Sequence, residues 1–309
     1  MLLEKFQDPY KTAKGEQRAW VDFKELKTLW FNAGTRCNLT CENCYIESSP
    51  TNDRLSYLSL EDVIKYLNEI KDENLPTKSL GFTGGEPFLN PAMFQILEEC
   101  LSRRFKTLVL TNAYRVLEKN HDKLLRLKEI GGDFLQLRVS LDHYKKKIHE
   151  EQRGTDTFER TLQSMKWLVD AGFEVSIAGR SLVDEALDSV VSGYQKLMDD
   201  YKIALSLDSH NLVLFPEMEE KEVSVPEITT ACWDILGKTP DQQMCSSERM
   251  IVKRKENESP TVLACTLLAY DKQFELGESL KESFQRVQLN HLYCAKFCVL
   301  GNSSCSSTL

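Results

Sequence analysis

From residue 26 onward the apolar positions switch repeatedly between two spacings, short continuous runs that read as buried strands and longer stretches with a recurrence of three or four that read as amphipathic helices. Leu26 to Phe31 is the first run. Leu60, Val63, Ile64, Leu67 and Ile70 follow at helical spacing, with Ser59 and Asp62 forming a capping box ahead of them. Leu80 to Thr83 is a second strand, after which Asn90-Pro91 supplies a cap and an N1 proline for a helix with Phe94, Leu97 and Leu101 on its buried face. Strands three to five are Phe105 to Thr111, Phe134 to Ser140 and Phe173 to Ala178, and a sixth lies between Ile203 and Phe215. The intervening helices carry Leu124, Leu125, Leu127 and Ile130, then Phe158, Leu162, Met165 and Val169, then the stretch from Asp184 to Asp199.

Strand and helix in alternation predict parallel strands joined by crossover helices. Six such units over 26–216 make an α/β fold of the partial (β/α)6 TIM-like kind, short of the eight units and roughly 250 residues of a full barrel. Residues 1–25 form an N-terminal extension. The glutamate-rich stretch Met218 to Val225 reads as a hinge, and 217–309 as a small cysteine-rich domain containing Cys232, Cys245, Cys265, Cys294, Cys298 and Cys305.

Composition narrows the class. A hydrophobic fraction of 41% and a charged fraction of 28% are those of a globular protein. The N-terminus lacks a basic region followed by an apolar core, and no run approaches the roughly 18 apolar residues of a membrane span, which points to the cytoplasm. In that reducing compartment, ten cysteines imply metal ligation rather than disulfides. A net charge of −8 offers no broad basic footprint and argues against a nucleic-acid partner.

Cys37, Cys41 and Cys44, spaced CxxxCxxC directly after the first strand, carry the chemistry. A [4Fe–4S] cube takes one thiolate per iron, so three cysteines leave one iron open to a ligand that is not protein. Structural zinc, the competing reading, requires four ligands, and no fourth Cys or His lies nearby. Some forty residues on comes Thr83-Gly84-Gly85-Glu86-Pro87. With Cys37-Asn-Leu-Thr-Cys41-Glu-Asn-Cys44-Tyr45, this motif resembles the radical S-adenosylmethionine (SAM) superfamily. The resemblance implies that the open iron chelates SAM, and that Gly84 and Gly85 let backbone approach its amino group. One departure is Asn43, where many members carry an aromatic residue; Tyr45 follows the third cysteine instead and belongs to the packing around SAM.

Thr83, Asn112, Ser140 and Arg180 fall at strand ends that face the ligand mouth of such a barrel. By resemblance Ser140 and an arginine, Arg153 or Arg180, bind the SAM carboxylate. The competing readings are a solvated loop charge for Arg153 and a strand-end ion pair for Arg180. Glu86 either orients the SAM ammonium or ties down its turn, and Asp142 reads as a cap. Cys100 and Cys232 read as small buried hydrophobes.

The C-terminal cysteines resemble SPASM and Twitch auxiliary modules. They imply one additional [4Fe–4S] cluster on Cys245, Cys265, Cys294 and either Cys298 or Cys305, with four-thiolate zinc as the alternative. The implied activity is reductive cleavage of SAM to a 5′-deoxyadenosyl radical, fed by an external electron donor such as flavodoxin or ferredoxin. That radical takes hydrogen from a small-molecule substrate, the reading favoured because only about 25 residues precede the first strand, too few for a typical peptide-recognition domain. Peptide or protein modification is the alternative, and an iron–sulfur electron carrier that never cleaves SAM is a third reading.

Overall fold

Parallel strands buried on both faces set the architecture. In this computed structural model, which describes residues 4–181, 185–208, 211–216 and 225–301, the elements run in the predicted order. They are β1 (Trp20–Val21), β2 (Thr28–Asn32), α1 (Leu60–Asp72), β3 (Ser79–Thr83), α2 (Met93–Ser102), β4 (Lys106–Thr111), α3 (His121–Gly131), β5 (Leu135–Ser140), α4 (Lys146–Arg153), α5 (Thr157–Asp170), β6 (Glu174–Ser181), α6 (Leu187–Asp200) and β7 (Leu212–Pro216). There follow α7 (Cys232–Leu236), β8 (Glu248–Val252), β9 (Thr261–Leu263), β10 (Glu275–Gly277) and β11 (Val287–Gln288).

Strands β2 to β7 lie side by side in chain order, each parallel to the next, as an open partial barrel. Every residue of β2 and β3 is buried, as layers on both faces require. On one face the helices pack Val63, Leu97, Leu124, Leu162 and Val190 against Phe31, Phe82 and Val139. Helix α1 begins at the expected capping box, where the Ser59 hydroxyl accepts from Asp62 N–H at 3.1 Å and the Asp62 carboxylate accepts from Ser59 N–H at 2.9 Å.

Two features depart from the sequence reading. The C-terminal segment does not stand apart from the barrel: β8 pairs in parallel with β2, and β9 and β10 continue the same nine-stranded sheet. The second apolar cluster, joining Trp30, Ile46 and Leu108 to Met250, Leu263, Phe274 and Phe297, belongs to both. The N-terminal extension docks here too, through β1 on β11 and the buried pair Arg18–Glu227 at 2.6 Å. Most of the expected hinge, 218–224, lies outside the described residues. Between β5 and α5, where the sequence reading placed no element, residues 146–153 form helix α4, whose buried residue is His149. Among the described residues no helix is long and apolar enough to cross a membrane.

Ser59→Ala removes one arm of a reciprocal cap while leaving the apolar stripe of α1 intact. It is expected to lower unfolding free energy by about 1 kcal/mol, read as a shift of the urea midpoint at unchanged slope.

Candidate functional site

After β2 the chain crosses the C-terminal ends of the strands as a long loop carrying the three cysteines, and the turn after β3 holds that loop in place. Ala33 N–H donates to the Thr83 carbonyl at 2.8 Å, Gly85 N–H to that of Gly34 at 2.8 Å, and Glu86 N–H to that of Arg36 at 3.1 Å. The contact leaves no room for side chains. Gly84 has φ +130°, and a Cβ on it would sit 2.5 Å from the Gly34 carbonyl oxygen. A Cβ on Gly85 would run into the Arg36 carbonyl. Close approach is therefore required here, as expected, but its partner is the backbone of the cysteine loop.

Glu86 takes the second of its two readings. It is 1% exposed, and its carboxylate accepts from Asn112 N–H at 2.8 Å, Phe88 N–H at 3.2 Å and the Thr111 hydroxyl at 3.0 Å. These donors occupy it below the site wall, so it ties the glycine turn to the end of β4 rather than facing a ligand. Burial pushes its pKa up to about 7 against the pull of those donors.

Above this floor lies a cavity of about 1140 Å³, counted out to its open mouth. Cys37, Cys41, Cys44, Tyr45, Thr83, Gly84, Gly85, Asn112, Ser140, Arg153 and Arg180 all line it, so the structure gathers every predicted residue of the first site except Glu86. Asn112 Nδ2 donates to Cys37 Sγ at 3.5 Å and to Asn38 Oδ1 at 2.9 Å.

Asp142 is the residue that sequence reasoning undervalued. It caps nothing; its buried carboxylate takes two bonds from Arg153, at 2.8 and 3.0 Å, and lies 3.4 Å from Arg180 Nε. Burial alone would raise its pKa, yet the two guanidinium groups outweigh burial and hold it below the usual carboxylate value. Arg180 Nη2 also donates to the Asn43 carbonyl at 3.2 Å. Helix α4 clasps the same loop from outside, where Glu42 N–H donates to the Gln152 carbonyl at 3.0 Å and Asn43 Nδ2 to Gln152 Oε1 at 3.0 Å. Asn43 thus supplies polar bracing where an aromatic residue is common. The only local signal for Asp142 was its place two residues beyond a strand-end serine.

The opposite wall is apolar and comes partly from the C-terminal segment, with Leu267 and Phe297 beside Ile46, Leu110 and Phe215. Phe215 and Phe297 stack at 5.6 Å. Behind this wall Cys245, Cys265 and Cys294 lie within electrostatic reach of one another. Leu267 N–H donates to Cys265 Sγ at 3.3 Å. Cys298 is half-buried on the π-helical turn Cys294–Leu300, and Cys305 lies outside the described residues.

The donor sets fit iron–sulfur clusters. No described cysteine forms a disulfide. Burial raises the thiol pKa of Cys37 and Cys265 to about 12 and that of Cys245 to about 11, so a metal that binds these three must displace their protons. Among the described residues no three Cys, His, Asp or Glu converge tightly enough to share a single ion.

Gly85→Ala forces the cysteine loop off the β3 turn. The variant, reconstituted anaerobically, is expected to lose most of the iron bound by the first site while its circular dichroism stays that of the parent. Full iron content would show that the backbone contact does not position the thiols.

The family model described as the radical SAM superfamily matches residues 31–184. The antilisterial bacteriocin subtilosin biosynthesis protein AlbA of Bacillus subtilis (strain 168) is 31% identical over 172 residues, 55% of this chain and 36% of AlbA, so the chain spans about a third of that relative. A probable GTP 3′,8-cyclase of Methanococcus maripaludis (strain C5) is 24% identical over 221 residues, 71% of this chain and 69% of the cyclase. The crystal structure of Streptococcus suis SuiB bound to the precursor peptide SuiA superposes with a TM-score of 0.59 at 14% identity, covering 90% of this chain and 67% of SuiB, a likeness of fold alone. The motif, the open parallel sheet and the family match agree that this chain belongs to the radical SAM superfamily.

Proposed function

We propose that this protein is a radical SAM maturase that modifies a peptide or protein substrate. On this reading Cys37, Cys41 and Cys44 hold the SAM-binding [4Fe–4S] cluster, and Cys245, Cys265, Cys294 and either Cys298 or Cys305 hold one auxiliary [4Fe–4S] cluster. When bound, the first cluster and SAM supply, with an electron from an external donor such as flavodoxin or ferredoxin, a 5′-deoxyadenosyl radical that takes hydrogen from the substrate. The chain's own residues bind, orient and shield. Arg180, held more loosely by Asp142 than Arg153 is, offers its guanidinium to the SAM carboxylate together with Ser140. Leu110, Phe215, Leu267 and Phe297 keep water from the reacting side of the cavity.

The 31% identity to a bacteriocin biosynthesis protein carries the choice of peptide over small molecule. The similarity to a GTP cyclase favours the opposite, and the cavity's charges weigh against it. Among the described residues the basic side chains in its wall, Arg153 and Arg180, are both turned onto Asp142, which leaves no cation cluster there for a triphosphate. The apolar wall suits an aliphatic or aromatic side chain.

The test is hydrogen transfer. The reconstituted enzyme, given SAM, a reductant and a peptide digest from cells grown in heavy water, is expected to place deuterium in the 5′-deoxyadenosine released. Deuterated nucleoside triphosphates are expected to leave it unlabelled, and labelling from nucleotides alone would return the small-molecule reading.

Arg180→Ala keeps the bidentate Arg153–Asp142 pair and therefore the fold. Losing a charge-assisted hydrogen bond of about 1.5–3 kcal/mol is expected to weaken SAM binding at least tenfold in anaerobic equilibrium dialysis. Unchanged affinity would assign the carboxylate to other residues.

A further inference from the structure

Arg249, on β8, is 1% exposed and has no carboxylate partner among the described residues. Its donors all go to backbone carbonyls: Nε to Ser283 at 2.9 Å, Nη1 to Cys245 and Glu248 at 2.7 Å each, and Nη2 to Gln285 at 3.2 Å. Phe23 lies under the guanidinium at 4.4 Å and stacks on Phe284 at 4.5 Å. Hydrogen bonding is thus satisfied while the charge is not, and an uncompensated buried charge is strongly disfavoured. Arg18, equally buried, shows the ordinary solution in its 2.6 Å pair with Glu227. The carboxylate adjacent in sequence, Glu248, is turned to Trp30 Nε1 at 2.8 Å. What Arg249 holds instead is the backbone carbonyl of Cys245.

A neutral thiol does not balance a guanidinium; a thiolate within a cluster does. We infer that Arg249 is the built-in countercharge of the auxiliary cluster, a positioning residue that raises its reduction potential. This rests on the reading of Cys245, Cys265 and Cys294 as cluster ligands. Reduction adds one negative charge, so a nearby fixed cation stabilises the reduced form more than the oxidised one. The cation cannot swing away, because four carbonyls and an aromatic ring fix its plane.

The experiment uses the full chain carrying Cys37→Ala, Cys41→Ala and Cys44→Ala, so that iron bound after anaerobic reconstitution reports the auxiliary site alone. Its potential is read by mediated titration followed by electron paramagnetic resonance, with Arg249→Gln and Arg249→Lys alongside. The parent is expected to hold about four irons. Arg249→Gln should disfavour reduction about tenfold, a downward shift of about 59 mV, while Arg249→Lys keeps most of the parent potential. Loss of iron in Arg249→Gln with retention in Arg249→Lys also supports the charge. Arg249→Gln with four irons and the parent potential overturns it, as does equal iron loss in both variants, which would make Arg249 a scaffold for the carbonyls it binds. A parent without iron overturns the cluster reading itself and the inference with it; the two failures are separated because one appears in the parent and the other only in the Arg249 variants.

Discussion

Residues 33–36 and 83–86 lie backbone against backbone, and the arrangement of the cavity depends on that contact. It fixes where the cysteine loop leaves the sheet. Behind it the buried Glu86 carboxylate carries the constraint to the end of β4, and Asn112, at that strand end, reaches forward to the Cys37 sulfur. A closed set of short polar links thus runs from thiol to strand end to carboxylate to glycine turn and back to the loop. Its stiffness comes from the three donors, at Phe88, Thr111 and Asn112, that converge on one buried acceptor.

Electrostatics divide the cavity in two. On the strand-end side, two guanidinium groups share one carboxylate, so the group keeps a net positive charge and suits a ligand carboxylate. On the far side the wall is hydrocarbon, supplied jointly by the barrel and the C-terminal segment. A zwitterionic ligand with an apolar neighbour meets its complement on each side.

The six barrel strands were legible because a strand buried on both faces of a parallel sheet must be apolar nearly throughout; the ends of the first four were found within two residues, whereas β6 runs three residues past its expected end and β7 occupies only the last part of the window expected for it. The cysteine loop and glycine turn were legible because each is a local motif. What the sequence concealed is long-range. Strand β8 begins with Glu248 and Arg249, two charges that break the apolar run, and both are buried by partners far away in the chain. The roles of Glu86 and Asp142 depend on which donors the fold brings to them, at residues 111–112 and at 153 and 180, and no local pattern encodes those meetings. Helix α4 has a single buried residue and hence no stripe to read.

The insertion of β8 beside β2 has a consequence for biosynthesis. Strand β2 meets its partner β3 about fifty residues after it leaves the ribosome, but its other edge is covered only when β8 emerges, more than two hundred residues later. Throughout that interval the nascent barrel exposes an unpaired edge strand, with Leu29, Trp30 and Phe31 at its centre, of the kind that invites association with other chains. The first three cysteines are already beside their glycine turn by then, while the C-terminal thiols have yet to be made. The order of translation separates the two thiol sets in time, and completing the second also closes the sheet.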